Sequence, residues 1–156
     1  MKTFARIVGG IIGLAITASW ALGYMMDTGA VPSDRVQTGA ELERRHASVL
    51  VDEGIIHYRE NIEYFFSEGL VSVREGGSVL TDRRVVAWQE RDNGSIAARQ
   101  ISNADIRGVE LLRQGDERNY AVYLVFAADG NVLELWLPHE HGDAERFVAA
   151  VEAKIP

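Results

Sequence analysis

The chain contains no cysteine, and it has too few basic residues to balance its acids. The missing cysteine excludes disulfide bonds, thiol catalysis and thiolate metal sites. Lys2 and Arg6 are the only charged residues before residue 27, and from residue 27 onward there are 14 basic and 23 acidic residues, a net charge of −9. A surface of that charge repels phosphate groups. The sequence therefore argues against nucleic-acid binding and against docking on anionic lipid headgroups.

The N-terminal segment has a different composition from the rest. Residues 7–26 contain no charged side chain, and Trp20 and Tyr24 lie near the distal end of this run. Twenty residues of helix rise roughly 30 Å, the thickness of the hydrocarbon core of a bilayer. Aromatic rings favour the membrane interface. The sequence therefore predicts a transmembrane anchor over residues 1–26.

The charges that flank this segment predict its orientation. Lys2 and Arg6 precede the run and Asp27 follows it, so the positive-inside rule places the following domain outside the cytoplasm of a single-pass cell-membrane protein. Small residues before Leu22 and Val31 also permit a cleaved signal peptide, although the run is longer than a usual signal core. The reversed orientation, with a cytoplasmic domain, is the third possibility.

Within the segment, small side chains recur at every fourth residue: Gly9, Gly13, Thr17 and Ala21. A ridge of this kind lets two helices approach closely in lipid. Glycine and alanine are also common in membrane helices that do not pair. The ridge is therefore either a surface for helix pairing or the ordinary composition of a membrane helix.

Residues 27–54 are predicted to be a polar tether with one short helix. Thr38 and Glu41 have the spacing of a capping box, in which each side chain bonds the other residue's backbone N–H. The pattern predicts a helix over residues 39–53 that ends at Gly54, although Arg45 and His46 interrupt its apolar face.

From residue 55 to 156 the pattern is that of short strands followed by one helix. Turn signals at residues 67–69, 76–77, 92–94 and 129–130 separate β-prone runs at 61–66, 70–73, 78–81, 84–88, 95–101, 106–112, 120–127 and 132–137. Asp143 is a reasonable N-cap of the final helix. Phe147, Val148, Val151 and Ile155 form its apolar stripe. The fold class is mainly β with a C-terminal helix (α+β), arranged as a barrel or sandwich that the helix caps.

Residues 60–153 carry a family resemblance. Tyr64-Phe65-Phe66, the run from Leu80 through Val86, Asp105-Ile106 and the closing helix are similar to the bacterial PH-like domains, which are related to pleckstrin-homology and GRAM modules. The resemblance implies a strongly bent antiparallel sheet of seven strands, closed at one end by the C-terminal helix, and a binding or scaffolding role without catalytic residues. Phosphoinositide-binding members place Lys and Arg in the loop between their first two strands. This chain has Ser67-Glu68-Gly69 there, so no phosphoinositide headgroup is expected.

The candidate metal ligands are too few. His139, Glu140, His141 and Asp143 form the one local cluster, and His46 and His57 lie far away in sequence. A structural or catalytic metal needs three or four ligands held together. A polar loop is therefore the preferred interpretation, with no metal and no cofactor.

Other chemistry-bearing patterns are equally incomplete. Arg83 and Arg84 could bind an anion, but the acidic surroundings favour a turn position for one and an ion pair with a cross-strand acid for the other. The sequence has neither a nucleophile elbow nor a glycine-rich phosphate loop. Trp88, Tyr123, Phe126 and Trp136 are predicted to be core or barrel-wall residues.

The sequence thus predicts a membrane-anchored PH-like domain that acts without catalysis as a protein-interaction or assembly module. The alternative is a domain that binds a small ligand or lipid tail in the barrel mouth beside the C-terminal helix. An unrecognised hydrolase using His139 or His141 is the least favoured reading.

The anchor can be tested on the full chain expressed in a bacterium. We expect the intact protein to stay in the membrane pellet after an alkaline carbonate wash, because a spanning helix resists extraction. N-terminal sequencing should begin at or near Met1. Release into the supernatant with a start at Leu22 or Val31 would instead identify a cleaved signal peptide.

Overall fold

The computed structural model describes residues 32–116 and 119–156. The predicted anchor, with its ridge of Gly9, Gly13, Thr17 and Ala21, lies outside these residues. None of the helices in the described ranges is long and apolar enough to span a bilayer.

The described chain forms eight strands, two α-helices and two 3-10 turns. The first part runs through β1 (Gln37–Thr38), α1 (Arg44–Asp52), β2 (Ile62–Ser67), β3 (Gly76–Thr81), β4 (Arg84–Glu90) and β5 (Ile96–Ser102). A 3-10 turn at Asn103–Asp105 leads to β6 (Ile106–Arg113), β7 (Ala121–Ala127) and β8 (Val132–Leu137). A second 3-10 turn, Glu140–Gly142, precedes α2 (Asp143–Glu152).

The strands form two antiparallel sheets. The first sheet has the order β1-β2-β3-β4-β5, and the second has the order β6-β7-β8. Within each sheet every strand therefore pairs with its neighbours in sequence, and the edge strands are β1 and β5 in the first sheet and β6 and β8 in the second. The mainly-β architecture with a C-terminal helix is confirmed.

The main core lies between the two sheets and α2. Phe66, Leu80 and Val85 enter it from the first sheet, and Leu133, Leu135 and Leu137 enter it from β8. The three leucines are two residues apart and so share one face of the strand, as their alternation predicts. Helix α2 contributes its apolar stripe, of which Phe147 and Val151 are fully buried.

A second core covers the other face of the first sheet. Leu50 of α1 packs there with Ile55, Phe65, Val79 and Trp88. Apolar residues therefore occur on both faces of the central strands, and every residue of β3 is buried. Helix α1 thus makes the first sheet a middle layer between two cores.

One predicted strand is wrong. Residues 70–73 belong to the loop between β2 and β3, where Leu70 is 82% and Val71 60% exposed. The Glu75 carboxylate accepts hydrogen bonds from the backbone N–H groups of Leu70, Val71 and Ser72. Since those donors are satisfied within the loop, the run does not need a neighbouring strand.

The turn predicted at Gly76-Gly77 is also wrong, because both glycines begin β3. A Cβ atom on Gly77 would lie 2.3 Å from the Phe66 carbonyl oxygen and 2.9 Å from the Trp88 ring. The glycine is required for this close approach between strands rather than for a reversal of the chain.

The N-terminal part of the described chain differs from a polar tether. Helix α1 begins at Arg44, five residues later than predicted, because Thr38 lies in β1 and its bonds with Glu41 close a turn. Val36 and Leu42 are buried, and His46 is buried on α1. Residues from Val36 onward therefore contribute to the two cores, and the predicted boundary at residue 55 falls inside the packed region.

The start of α2 also differs from the prediction. Gly142, with φ +70°, is the N-cap, and Asp143 is the first helical residue. The buried Asp143 carboxylate accepts hydrogen bonds from the Arg35 guanidinium and from the Val36 N–H, and it pairs with Arg146. It therefore ties the incoming chain to α2. Ile155 lies beyond the helix and is 37% exposed, so the predicted apolar stripe ends at Val151.

Truncation of Phe147 tests the docking of α2. We expect Phe147→Ala to lower the free energy of unfolding by about 3–5 kcal/mol, because it removes a fully buried ring from between the sheets. Ile155→Ala is the matched control and should cost less than about 0.5 kcal/mol, as exposed positions do. Urea denaturation of both variants measures the difference. A cost below about 1 kcal/mol for Phe147→Ala would show that the helix does not plug the core.

Candidate functional site

A cleft of about 390 Å³ opens between the first sheet and β8, and we call it the mouth cleft. One wall comes from β4 and β5 and the other from β8. The first wall contains Ala87, Gln89, Ala97 and Arg99, and the second contains Leu133, Glu134 and Trp136. Glu68 and Trp88 complete the lining.

The positions of small residues explain why the sheets leave a space here. Ala87 and Arg99 are direct cross-strand partners, as are Gln89 and Ala97. Further along the same face, Val85 and Ile101 fill the main core. Toward the β4–β5 turn, alanines replace these larger side chains. The core therefore ends there in a cavity that is open to solvent.

The mouth cleft lies away from the mouth that the sequence indicated. In α2, the centre of the Phe147 ring lies 6.2 Å from the centre of the Tyr64 ring. Just after the helix, the Lys154 Nζ atom lies 2.7 Å from a carboxylate oxygen of Glu63. Glu63 and Tyr64 lie in the first half of β2, whereas Glu68 follows the end of that strand. The space beside the helix is thus filled by Phe147, and the cleft opens toward the β2–β3 loop.

Glu68 is the unusual residue of the cleft. Its side chain is partly buried, and the described residues donate no hydrogen bond to its carboxylate. Burial, which disfavours the charged form, raises the pKa of Glu68 from 4.5 to about 7. A desolvated carboxyl without a partner is costly in a folded protein and is often found where a ligand binds.

The other charged groups near Glu68 come from three elements. Arg99 projects from β5 and Glu134 from β8, and both are largely exposed. Glu134 accepts a long hydrogen bond from the Trp136 indole N–H, 3.4 Å away. Tyr120 precedes β7, and its pKa is raised by burial and then by the charge of Glu68. The described residues thus contribute two carboxyl groups and one guanidinium to the cleft.

A second feature is the outer face of the three-stranded sheet. Val122, Leu124 and Phe126 lie on the face of β7 that points away from the main core, and β8 adds Val132 and Trp136. We call these five residues the outer stripe. Val132 is 40% and Trp136 39% exposed. A Cβ atom on Gly108, the cross-strand partner of Phe126, would touch no described atom, so the face is open there.

Charged groups border the outer stripe. Glu110 and Glu134 flank Leu124 across the strands. The Arg113 guanidinium lies 5.3 Å from the centre of the Trp136 ring. Val122, the cross-strand partner of both Arg113 and Trp136, is only 3% exposed although it belongs to neither core. This combination of a central apolar row with a polar border is typical of protein-binding surfaces.

The candidate metal ligands are dispersed among the described residues. Asp143 is engaged by two arginines, and His141 lies 3.9 Å from Glu140 on the exposed 3-10 turn. Across the described ranges, no three His, Asp or Glu side chains are grouped so that they could hold a metal ion. His46 is buried in α1, where burial and then the charge of Arg45 lower its pKa.

The structure separates the two adjacent arginines. Arg83 is exposed in the β3–β4 turn. Arg84 donates to both carboxylate oxygens of the buried Glu60, at 2.6 and 3.1 Å. Burial acts to raise the pKa of Glu60, but hydrogen bonds from Arg84, the His57 N–H and Thr81 lower it overall. The pair therefore does not converge on one anion.

The four aromatic residues expected in the core have different positions. Trp88 is buried, stacks on Phe65 and donates its indole N–H to the Val73 carbonyl oxygen at 2.8 Å. Tyr123 packs against the main core, whereas Phe126 and Trp136 lie in the outer stripe. The uninterrupted apolar run of β7 is the signal that could have revealed the outer stripe, because an alternating strand would have carried polar residues there.

Comparison with known proteins bears on the fold. No family model and no curated protein matches the chain. Among solved structures, the chain is similar to a DUF1696 family protein with a pleckstrin-homology domain from Shewanella loihica PV-4, with a TM-score of 0.51 and 11% sequence identity. The alignment covers 79% of this chain and 98% of that protein. The described domain therefore has a PH-like fold. Identity this low supports the fold and leaves function to the sites.

The unpartnered carboxyl makes stability depend on pH. Below about pH 4.5 Glu68 is protonated in the folded and the unfolded chain, and between 4.5 and about 7 only the unfolded chain loses the proton. The stability that the neutral Glu68 carboxyl gives to the folded chain is therefore fully present below about pH 4.5 and is lost as pH rises through about 7. We expect Glu68→Gln to raise the free energy of unfolding at pH 8 by roughly 1–3 kcal/mol, the cost of a buried group without a partner.

The same variant should match the original protein near pH 4, as urea denaturation at both pH values would measure. Glu110→Gln, which removes an exposed carboxylate outside the mouth cleft, should change stability by less than about 0.5 kcal/mol at either pH. An equal gain for Glu68→Gln at pH 4 and pH 8 would contradict the elevated pKa.

Proposed function

We propose that this protein is a membrane-anchored, non-enzymatic PH-like module that binds a protein partner through the outer stripe. The observation that supports the proposal is the outer stripe, on a sheet face that neither core covers. Val132 and Trp136 are 40% and 39% exposed there, and Leu124 and Phe126 are half-buried. Exposed apolar patches with a polar border usually mark interaction sites.

The composition of the outer stripe fits a protein better than a lipid or nucleic acid. Trp and Arg are enriched among the residues that contribute most to protein–protein affinity, and here Arg113 stacks on Trp136. Glu110 and Glu134 border the stripe and would repel anionic headgroups and phosphates. The partner surface we infer is apolar at its centre, with basic residues facing these two glutamates.

The anchor belongs to this proposal. A helix over residues 1–26 would hold the domain at the membrane and outside the cytoplasm, so that the partner would be a membrane or extracytoplasmic protein. Gly9, Gly13, Thr17 and Ala21 offer a surface on which a second membrane helix could pack. Both statements rest on the sequence pattern.

A second candidate function is favoured by the mouth cleft. A cavity of about 390 Å³, lined by apolar and by charged side chains, is of the size that binds small ligands. In this alternative the domain carries a small molecule between β8 and the first sheet rather than, or in addition to, a protein on the outer stripe.

A photo-crosslinking experiment in native membranes tests the main proposal. A benzophenone amino acid at Leu124 should capture one protein in stoichiometric amount, because this position lies at the centre of the outer stripe. Phe126→Ala should reduce the capture by roughly 5- to 30-fold, since truncation of a central interface residue costs about 1–2 kcal/mol. Mass spectrometry identifies the captured chain.

The matched control is the same crosslinker at Tyr58, which is 65% exposed but precedes β2, outside the three-stranded sheet. It should not capture that protein. A thermal melt must show that Phe126→Ala remains folded, and Val132→Asp, at an exposed position of the outer stripe, gives a second test. Equal capture from Leu124 and Tyr58, or no effect of either variant, would contradict the proposal.

A further inference from the structure

The mouth cleft carries an inference about the chemistry of its ligand, which rests on the second candidate function. The cleft places the Glu68 carboxyl just after the end of β2, the Glu134 carboxylate on β8, and the Trp136 indole ring around one cavity. We propose that the mouth cleft binds a small ligand through an alkylammonium group, held by Glu68 and Glu134 and flanked by Trp136.

The first argument is that Glu68 lacks a partner. The other deeply placed carboxylates of the domain are satisfied: Asp143 by Arg35, Arg146 and the Val36 N–H, and Glu60 by Arg84 and Thr81. Glu68 receives no hydrogen bond from the described residues, and burial alone shifts its pKa. An ammonium group is the ligand that would supply both a hydrogen-bond donor and a counter-charge.

The second argument is the composition of the walls. Trp136 is 39% exposed at the rim, and indole rings attract cations as well as hydrocarbon. Ala87, Ala97 and Leu133 form apolar walls that suit an alkyl chain. The cleft can therefore hold both the charged head and the hydrocarbon body of a small alkylammonium ion.

Among the described residues of the lining, Arg99 is the only basic one, and it is the reason to consider an anionic ligand as well. If Arg99 governed recognition, the cleft would prefer an anion such as a carboxylate. Arg99 is largely exposed, however, whereas Glu68 is partly buried. Electrostatic interactions are stronger at the desolvated position, so the two carboxyl groups should outweigh the exposed guanidinium.

The pH dependence follows from the groups that face Glu68, namely Arg99 from β5, Glu134 from β8 and Tyr120 before β7. An alkylammonium ion stays charged between pH 6 and 8 and binds the ionised form of Glu68. Because the pKa of Glu68 is about 7 in the free protein, the ionised fraction rises about tenfold from pH 6 to pH 8. Affinity should rise by a similar factor.

The test uses the full chain in lipid nanodiscs and three matched probes: n-butylammonium, 1-butanol and butyrate. Binding is followed by NMR of the Trp136 indole N–H signal, with the signal of Trp88, whose indole is buried in the second core, as the reference. At pH 8 we expect n-butylammonium to bind most tightly and butyrate least. Its affinity should fall about tenfold at pH 6.

Three variants make the test specific. Glu68→Gln should weaken n-butylammonium binding at pH 8 by at least tenfold and abolish the difference between pH 6 and 8. Arg99→Gln should strengthen binding, because it removes the competing charge. Asp52→Asn, which removes an exposed carboxylate on α1 outside the cleft and the outer stripe, should leave n-butylammonium binding unchanged.

The outcomes separate this inference from the function on which it rests. A preference for butyrate or 1-butanol would overturn the inference while leaving a small-ligand function in place. Binding of none of the three probes would overturn the inference and remove support for the second candidate function. Retention of the pH dependence in Glu68→Gln would show that another group recognises the ammonium ion.

Discussion

The architecture depends on the burial of Phe147 between the two sheets. The first sheet has a core on each face, but the three-stranded sheet covers its inner face only in part, and α2 must fill the remaining space. Phe147 is fully buried there against Tyr64 and the leucines of β8. Close packing of this kind leaves little room at that end of the domain. The space between the sheets therefore opens at the other end of β2, where the mouth cleft lies.

The two ends of the domain also differ in the groups that surround a buried carboxylate. At the helix end, Asp143 is enclosed, but two guanidinium groups and a backbone N–H hold its pKa below the ordinary value despite burial. Its bonds connect residues 35 and 36 to the start of α2, which makes the incoming chain part of the fold. At the open end, Glu68 is partly buried, and no described residue donates a hydrogen bond to its carboxylate, so burial raises its pKa. The first arrangement stabilises structure, and the second is suited to a binding partner.

The two candidate surfaces share β8. Its inward leucines belong to the main core, while Glu134 and Trp136 reach both the mouth cleft and the outer stripe because β8 is an edge strand. A ligand in the cleft would contact Trp136, and a protein on the outer stripe would contact the same ring. The two events would therefore influence each other through one side chain, by competition for the ring or by a change in its orientation.

Sequence patterns captured the regular elements well. The alternation in β8, the Asn93-Gly94 turn between β4 and β5, and the helical spacing of Phe147, Val148 and Val151 all have their predicted structures. Their success has a local cause, because strand and helix periods and turn chemistry depend on residues close together in the chain. The errors at residues 70–73 and 76–77 arose where a side-chain contact rather than a strand or turn pattern decided the structure. At 70–73 the Glu75 carboxylate binds the backbone of its own loop, and at 76–77 the Trp88 ring of the neighbouring strand lies close to Gly77.

The sequence by itself determined the composition-dependent properties of this protein: an acidic domain without cysteine chemistry, a mainly-β fold with a terminal helix, and an uncharged N-terminal run long enough to span a membrane. Only the tertiary structure decided which side chains meet. The neighbours of Glu68 come from β4, β5 and β8, and the outer stripe is recognisable only once the second sheet shows which face of β7 is covered. Desolvation and cross-strand contact depend on residues far apart in the chain, so neither the raised pKa of Glu68 nor the open face of the second sheet has a local signature.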